Sequence, residues 1–250
     1  MRGWLSGLAG LGLLTLPATV RAADPSVGVD FYTAYVWRGI TIQDTPVLQP
    51  WVDISGISFG KDVSLGVNVW GNFPLSDWKK DGQLRADGGE FSEFDATLTL
   101  SLPKGFKAGY TEFTFPTTAA IQYLGFREVF TGWTGSFGVD VSANVYYGVH
   151  EITSIYGSVS VGRAFALSPK LKLTVEGQAG ACGKEFAQIY GGADRKAGFS
   201  NYGFMAKLAF TPTEKITLGV NLGHVGSLDK SVLPAQPIKF LGGVTALVAF

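Results

Sequence analysis

Two histidine–serine pairs come nearest to nucleophilic catalysis in this sequence. The chain has two histidines, His150 and His224, and each is followed closely by a serine, Ser154 and Ser227. A histidine within hydrogen-bond reach of a serine hydroxyl can take its proton, and lipid-hydrolysing enzymes use such pairs. The tighter His-x-Ser spacing of membrane lipases is missing. We therefore expect histidines that hydrogen-bond to loops, and no catalytic residue.

Acidic residues are the second group that could do chemistry. Asp77, Asp81, Asp87 and Glu90 follow one another in a single predicted loop and could bind Ca²⁺ weakly through carboxylate oxygens. Solvated loop charges are the simpler interpretation. The single cysteine, Cys182, excludes disulfides and cysteine-ligated zinc or iron–sulfur sites. We expect no metal and no cofactor.

The composition narrows the class of protein. Of 250 residues, 46% are hydrophobic, 16% are charged and 34 are glycine. Lys+Arg and Asp+Glu both number 20, so a basic surface for nucleic acid is not expected. The chain is apolar and rich in glycine, yet beyond residue 22 no apolar stretch is long enough for a membrane helix.

The first residues predict an export signal. Arg2 precedes an apolar run from Trp4 to Pro17, and Ala22 closes a small-residue cleavage site. We expect residues 1–22 to be a cleaved signal peptide and residues 23–250 to be the mature domain. Loss of Arg2 and Arg21 leaves a small acidic excess.

The mature chain alternates with a period of two, which is typical of β-strands. Within residues 137–147, apolar side chains at odd positions alternate mostly with small or polar residues at even positions. The same pattern recurs along the chain, and the sixth segment alternates least cleanly. We predict about twelve strands, over residues 27–39, 47–58, 62–73, 90–102, 105–116, 120–131, 136–147, 152–166, 170–182, 199–211, 215–226 and 237–250.

The connections between these segments predict the architecture. Every second connection is a tight turn rich in proline or glycine, and most of the others are longer. Short turns at one end and longer loops at the other are typical of transmembrane β-barrels. We predict an all-β, antiparallel up-and-down transmembrane barrel of about twelve strands, exported to the bacterial outer membrane with both termini periplasmic. The rival is a soluble periplasmic β-sandwich, whose polar face would carry more charge and less glycine.

Nearly all charged side chains within the predicted strands avoid the apolar face. A cation facing lipid would cost about 2–4 kcal/mol at the bilayer midplane. Arg38 is expected to form a salt-bridge strut inside the barrel. Trp51, Trp70 and Tyr146 could form an aromatic track for sugars, although packing in a narrow lumen is the simpler role for these three rings. The candidate lumen-lining residues are Asp30, Arg38, Asp53, Asn68, Asp95, Asp140, Asn144, Glu176, Lys207 and Asn221.

The last strand carries a candidate assembly signal. Phe240, Val248 and Phe250 share one parity, and the given sequence ends on Phe250. This pattern resembles the C-terminal signal that the barrel-assembly machinery of bacteria reads. It predicts that machinery as a partner during biogenesis.

The opening of the mature chain resembles a known family. Residues 33–41 read Thr-Ala-Tyr-Val-Trp-Arg-Gly-Ile-Thr, followed by Gln43 and by a proline-flanked segment over 46–50. This is similar to a family of bacterial outer-membrane barrels of uncharacterised function, which open with a Tyr-Val-Phe-Arg-Gly-Ile strand. Thr33 and Trp37 stand where serine and phenylalanine are usual in that family. The resemblance implies an outer-membrane barrel and no established activity.

Three functions are compatible with these features. We favour a narrow porin-like channel for small polar solutes. Side chains fill the interior of barrels of about eight strands, whereas porins of about sixteen strands enclose an aqueous channel. A barrel of about twelve strands lies between these sizes. The alternatives are a structural or interaction barrel without a pore and, last, a lipid-modifying enzyme. The bilayer is the expected environment, and nucleic acid is not expected as a partner.

Overall fold

The computed structural model describes residues 23–59, 62–80, 83–86, 88–116, 125–150 and 152–250. Twelve antiparallel strands close into one barrel, which confirms the predicted fold class and strand number. Two short hairpins and one helix lie in the connections. The elements are β1 (Asp24–Tyr32), β2 (Tyr35–Trp37), β3 (Ile40–Gln43), β4 (Val47–Ser58), β5 (Ser64–Pro74), β6 (Trp78–Lys80), β7 (Gln83–Ala86), β8 (Glu93–Ser101), a 3-10 turn (Pro103–Gly105), β9 (Phe106–Thr114), β10 (Gly125–Ser136), β11 (Asp140–Gly148), β12 (Ile155–Ser168), β13 (Leu171–Cys182), α1 (Lys184–Gly191), β14 (Gly198–Thr213), β15 (Ile216–Ser227) and β16 (Phe240–Ala249).

Closure of the sheet pairs the first strand with the last. Strand β1 lies between β16 and β4, so that Val29 is opposite Ala246 on one side and Pro50 on the other. The remaining barrel strands follow in sequence order, with β5 next to β8 because β6 and β7 form a separate hairpin. A closed sheet has no unpaired edge, and a sheet in lipid needs this property.

The barrel has two different ends. The turn end carries the first residues of β1, the last residues of β16 and the tight connections near residues 59–63, 102–105, 137–139, 169–170 and 214–215. The loop end carries the longer connections, including residues 33–46, 75–92, 183–197 and 228–239. This asymmetry agrees with the predicted alternation of turns and loops. The placement of both termini in the periplasm stays a prediction.

The outward face of the wall is apolar. Leu98, Val159 and Val220 are 45%, 51% and 48% exposed, although their neighbours along each strand turn inward. Such a belt of exposed aliphatic side chains needs a lipid environment, since water would penalise it along its whole area. Arg163 is a cation on this face and lies 5.4 Å from the ring centroid of Phe165. No helix among the described residues has the length and apolarity to cross a membrane.

The first predicted strand, over residues 27–39, is wrong at its end. Strand β1 stops at Tyr32, and the Thr33 amide donates to the Gly242 carbonyl at 2.9 Å as the chain leaves the wall. The residues that follow form the separate β2–β3 hairpin. The alternation continues unbroken from β1 into β2, so period alone could not mark the break.

The predicted turn over residues 132–135 is also wrong. These residues belong to β10, where Trp133 lies opposite Ala143 and Phe106, and the turn follows at Phe137, whose amide donates to the Val139 carbonyl at 2.8 Å. The pairing with both neighbours outweighs the turn propensity of the two glycines. The pairing of β9 with its two neighbours is regular through Glu112. Residues 120–124 of the sixth predicted strand, and the predicted signal peptide over 1–22, lie outside the described residues.

Substitutions at two adjacent residues of β8, Leu98 and Thr99, test which face of the barrel wall contacts lipid. Leu98 points outward, whereas Thr99 points inward between Gly66 and Gly109 of the neighbouring strands. We predict that Leu98→Arg destabilises the barrel by about 2–4 kcal/mol, because the guanidinium enters the hydrocarbon, while Thr99→Arg costs less than about 1 kcal/mol. Urea unfolding in lipid vesicles measures both changes. Equal costs for the two variants would contradict a lipid-facing Leu98.

Candidate functional site

A two-residue turn builds the hairpin that follows β1. Trp37 lies opposite Ile40, and the turn residues Arg38 and Gly39 both have positive φ, 49° and 78°. Positive φ at both positions is the geometry of the primed turns that join tight hairpins. An arginine in this region costs about 1–2 kcal/mol in backbone free energy, so its side chain must make compensating contacts. We call residues 35–43 the inner hairpin.

The inner hairpin crosses the bore of the barrel. At its base, the Tyr35 ring lies 5.5 Å from the ring of Trp70, an inward-facing residue of β5. At its tip, a Cβ added to Gly39 would lie 2.3 Å from Cβ of Asn201, an inward-facing residue of β14. Strands β5 and β14 stand on nearly opposite sides of the closed barrel. The glycine is therefore required by close approach to the wall as well as by its backbone conformation.

The tip residue Arg38 is held by an ion pair with the wall. Its two terminal nitrogens donate to the two carboxylate oxygens of Glu128 at 2.7 and 2.6 Å. The two side chains are only 8% and 4% exposed. Parallel hydrogen bonds between a guanidinium and a carboxylate are the strongest geometry available to this pair. Glu128 lies near the loop end of β10, opposite Gly148, the last residue of β11.

Aromatic rings surround the Arg38 guanidinium. Its Cζ atom lies 4.2, 4.4 and 4.6 Å from the ring centroids of Trp37, Tyr146 and Tyr156, respectively. A cation over an aromatic face gains more when it is removed from water, as it is here. Contacts with the carboxylate and the rings together offset the free-energy cost of removing this charge from water. We call Glu128, Tyr146 and Tyr156 the wall site.

Loops at the loop end pack onto the inner hairpin. Phe186 of α1 packs against Trp37 and Tyr156, with ring centroids 5.8 and 5.6 Å apart. The Thr41 amide donates to the Gln236 side-chain oxygen at 3.0 Å, which ties β3 to the last loop. Burial raises the pKa of Tyr190 above its ordinary value, so this phenol of α1 stays neutral. The apolar core formed at this end contains Ile40, Tyr156, Cys182, Phe186, Ala187, Val232 and Leu233.

A polar cavity of about 450 Å³ lies against the wall site. Hydroxyl groups line it in cross-strand pairs, Thr97 with Thr111 at 3.0 Å and Ser142 with Ser160 at 2.9 Å. Its charged lining residues are Arg38 and three carboxylates, those of Asp95, Glu128 and Glu176. Among the described residues, Asp95 Oδ1 and Asn144 Oδ1 are buried without a hydrogen-bond donor. The cavity therefore offers hydrogen-bond acceptors to a polar solute.

The structure places the predicted lumen residues on the inward face, in three groups. Asp95, Asn144, Glu176 and Arg38 line the cavity, although Arg38 comes from the inner hairpin and not from a wall strand. Asp30 accepts hydrogen bonds from Trp51 Nε1 at 3.2 Å and from the Thr245 hydroxyl. Asn221 donates to the Thr245 hydroxyl at 2.9 Å. Asn68 and Asp53 lie opposite each other on β5 and β4, and Asp140 lies at the turn end. Lys207 lies opposite Thr174 and Asn221.

Sequence reasoning missed two residues of the wall site. Glu128 lies in the segment whose alternation was least clear, and Tyr156 carried no signal beyond its parity. The strut predicted for Arg38 pointed to a carboxylate without identifying it, since the partner is 90 positions away. A buried arginine at a positive-φ turn would have indicated an inserted hairpin, but the sequence alone does not reveal that burial.

The other candidate sites from the sequence are the histidine–serine pairs and the acidic loop. The His224 ring packs between Tyr202 and Phe240, with centroids 5.6 and 4.7 Å away, whereas the Ser227 hydroxyl donates to the Pro234 carbonyl. In the acidic loop, Asp77 accepts the Gly88 amide at 3.1 Å, and Asp81 and Asp87 lie outside the described residues. Within the described part of the chain, no three His, Cys, Asp or Glu side chains are grouped as metal ligands would be.

The buried ion pair should couple its partners strongly. We predict that a double-mutant cycle of Arg38→Ala and Glu128→Ala gives a coupling free energy of at least about 2 kcal/mol, because each single variant leaves the other charge buried without its partner. Urea unfolding of the four proteins measures it. A coupling below about 0.5 kcal/mol would contradict the pairing.

An exposed ion pair supplies the control for this cycle. Lys196 Nζ and Asp229 Oδ2 are 3.5 Å apart in two loops, with side chains 65% and 43% exposed. Hydrogen bonds from Ser231 hold the pKa of Asp229 below its ordinary value, so this carboxylate remains charged at neutral pH. Lys196→Ala should change the free energy of unfolding by less than about 0.5 kcal/mol.

The barrel is similar to solved outer-membrane proteins. An outer-membrane channel from Pseudomonas putida F1 aligns over 93% of this chain and 97% of its own, with a TM-score of 0.58 and 11% identity. The outer membrane phospholipase A of Escherichia coli aligns over 94% of this chain and 93% of its own (TM-score 0.48, 12% identity), and the KdgM porin over 90% and 99% (TM-score 0.44, 8% identity). No protein-family model matches the sequence, and no curated protein sequence matches it significantly. The alignment with the Pseudomonas channel shows that this chain has an outer-membrane β-barrel fold.

Proposed function

We propose that this protein is a narrow channel for small polar solutes in a bacterial outer membrane, closed at its loop end by the inner hairpin. The observation that carries the proposal is the polar cavity of about 450 Å³ beneath that hairpin. A barrel that served only as a membrane anchor could fill its bore with packed side chains. Here the bore keeps hydroxyl-lined space where the hairpin ends.

The charges of the bore support a preference for cations. Glu176 adds a carboxylate to the cavity lining, while the charge of Arg38 is neutralised by Glu128. Farther from the cavity, the inward face also carries Asp30, Asp53 and Asp140 against Lys107, Lys172 and Lys207. A narrow passage of low dielectric strengthens the effect of a small charge excess on a passing ion.

A barrel without a pore is the second candidate function. The observation in its favour is the inner hairpin itself, because it spans the bore and is held by a buried ion pair. Such a barrel would act by binding envelope partners through its loops. A lipid-modifying enzyme has less support, since His224 packs between two aromatic rings and Ser227 is engaged with Pro234.

Three further parts of this proposal rest on sequence features: export, barrel assembly and family membership. The cleaved signal peptide over residues 1–22 would direct the chain to the membrane. Phe240 and Phe250, 74% and 70% exposed, and Val248, 38% exposed, would present the assembly signal on the outward face of β16. Membership of the uncharacterised family with the Tyr-Val-Phe-Arg-Gly-Ile opening stays a prediction, and the Arg-Gly pair of that opening would then be the tip of the inner hairpin.

Conductance across planar bilayers tests the proposal. We expect small, cation-preferring conductance from the wild type and a several-fold larger conductance when residues 34–44 are replaced by a short glycine-rich turn, because the obstruction is removed. Lys196→Ala, in an exposed loop, should leave the conductance unchanged. If neither the wild type nor the shortened barrel conducts ions, the channel is excluded and the barrel without a pore is favoured.

A further inference from the structure

The residues of the wall site belong to the barrel wall, and not to the hairpin that carries Arg38. Glu128, Tyr146 and Tyr156 belong to β10, β11 and β12, three neighbouring strands of the barrel wall. Tyr146 and Tyr156 are direct cross-strand partners, with ring centroids 6.2 Å apart. Arg38, by contrast, arrives on an inserted hairpin. The site is therefore built on rigid elements, while its occupant is carried by a connection.

The chemistry of the wall site is that of organic-cation recognition. A carboxylate that accepts two parallel hydrogen bonds is matched to the planar fork of a guanidinium, whereas a primary ammonium can only act as a point charge. Two tyrosine faces at 4.4 and 4.6 Å from the bound carbon supply cation–π attraction. These three residues would bind any guanidinium of suitable size in the way they bind Arg38.

We propose that Glu128, Tyr146 and Tyr156 form a binding site for solutes that carry a guanidinium group, and that Arg38 occupies this site as an internal competitor in the closed barrel. The proposal rests on the proposed channel function in one respect: it names the class of solute that the channel admits. A bound solute and Arg38 cannot share one carboxylate, so solute binding favours release of the inner hairpin.

The polar cavity gives a solute access to the site. Arg38, Glu128, Tyr146 and Tyr156 all line the cavity of about 450 Å³, so that the guanidinium pair is reached from the bore and not only from the loops. Asp95 Oδ1 is a buried acceptor in the same cavity, without a donor among the described residues. A cationic solute with further hydrogen-bond donors would satisfy that atom, and Glu176 adds attraction across the bore.

Competition follows from linkage between the two occupants. A ligand that binds only when Arg38 has left shifts the hairpin toward release, and the closed hairpin weakens the ligand by the same factor. The wild type should therefore bind a guanidinium solute more weakly than a variant whose site is vacant. This difference distinguishes a true competitor from a cation attracted to the bore in general.

Binding of N-ethylguanidinium to Arg38→Ala in detergent micelles tests the proposal. We expect a concentration-dependent rise in the melting temperature of Arg38→Ala, and apparent affinity about tenfold lower for the wild type, for Arg38→Ala/Glu128→Gln and for ethylammonium as the ligand. Arg38→Ala/Glu214→Gln is the matched control, since Glu214 lies in an exposed turn at the turn end, away from the cavity, and it should still bind. Equal affinity of Arg38→Ala and Arg38→Ala/Glu128→Gln, or no binding to either, would overturn the proposal.

A second measurement covers the case in which Arg38→Ala does not assemble. In a Cys182→Ser background, Val36→Cys in the inner hairpin reports release of the hairpin through thiol labelling. N-ethylguanidinium should speed this labelling several-fold, and ethylammonium should not; equal rates with both cations would overturn the proposal. Neither readout requires ion conduction. Binding without conductance would leave this site standing and reject the channel, and conductance without binding would do the reverse.

Discussion

The pairing of one buried guanidinium organises the inside of this barrel. Arg38 is 8% exposed, and a charge removed from water must be neutralised and hydrogen-bonded to be tolerated. Glu128 supplies the opposite charge, and Trp37, Tyr146 and Tyr156 supply aromatic faces. These contacts offset the positive φ of the turn and hold a hairpin across the bore. The loop-end core then packs onto that hairpin.

The outside of the barrel follows a different constraint. Backbone groups in hydrocarbon must be paired within the sheet, so the strands close, and the side chains alternate between lipid and lumen. Leu98 and Thr99 show both environments in adjacent residues. This period of two recurs in most of the predicted strands, which explains why strand number and fold class could be predicted from it. The bounds of β4, Val47–Ser58, were predicted to the residue, since Pro46 precedes the strand and a turn follows it.

The inner hairpin could not be predicted in the same way. Tyr35 and Trp37 continue the alternation of β1, and a local pattern does not say whether a segment stays in the wall or folds inward. The Arg-Gly pair at its tip is a turn signal that the unbroken parity concealed. The site was predicted in part for a related reason: Arg38, Asp95 and Tyr146 were assigned inward positions by parity, whereas Glu128 and Tyr156 are joined to Arg38 only by tertiary contact. Pairs that depend on closure of the barrel leave no trace in local periodicity.

The contact between Arg38 and Glu128 holds the inner hairpin in place, and it can be measured in a membrane. A nitrogen–carbon dipolar distance measurement by magic-angle-spinning NMR, on the barrel in lipid bilayers, addresses it directly. Labels on the Arg38 guanidinium nitrogens and on the Glu128 carboxyl carbon should report direct ion-pair contact, as expected for N–O distances of 2.7 and 2.6 Å. Absence of dipolar coupling between these labels in the unliganded barrel would contradict the inserted hairpin.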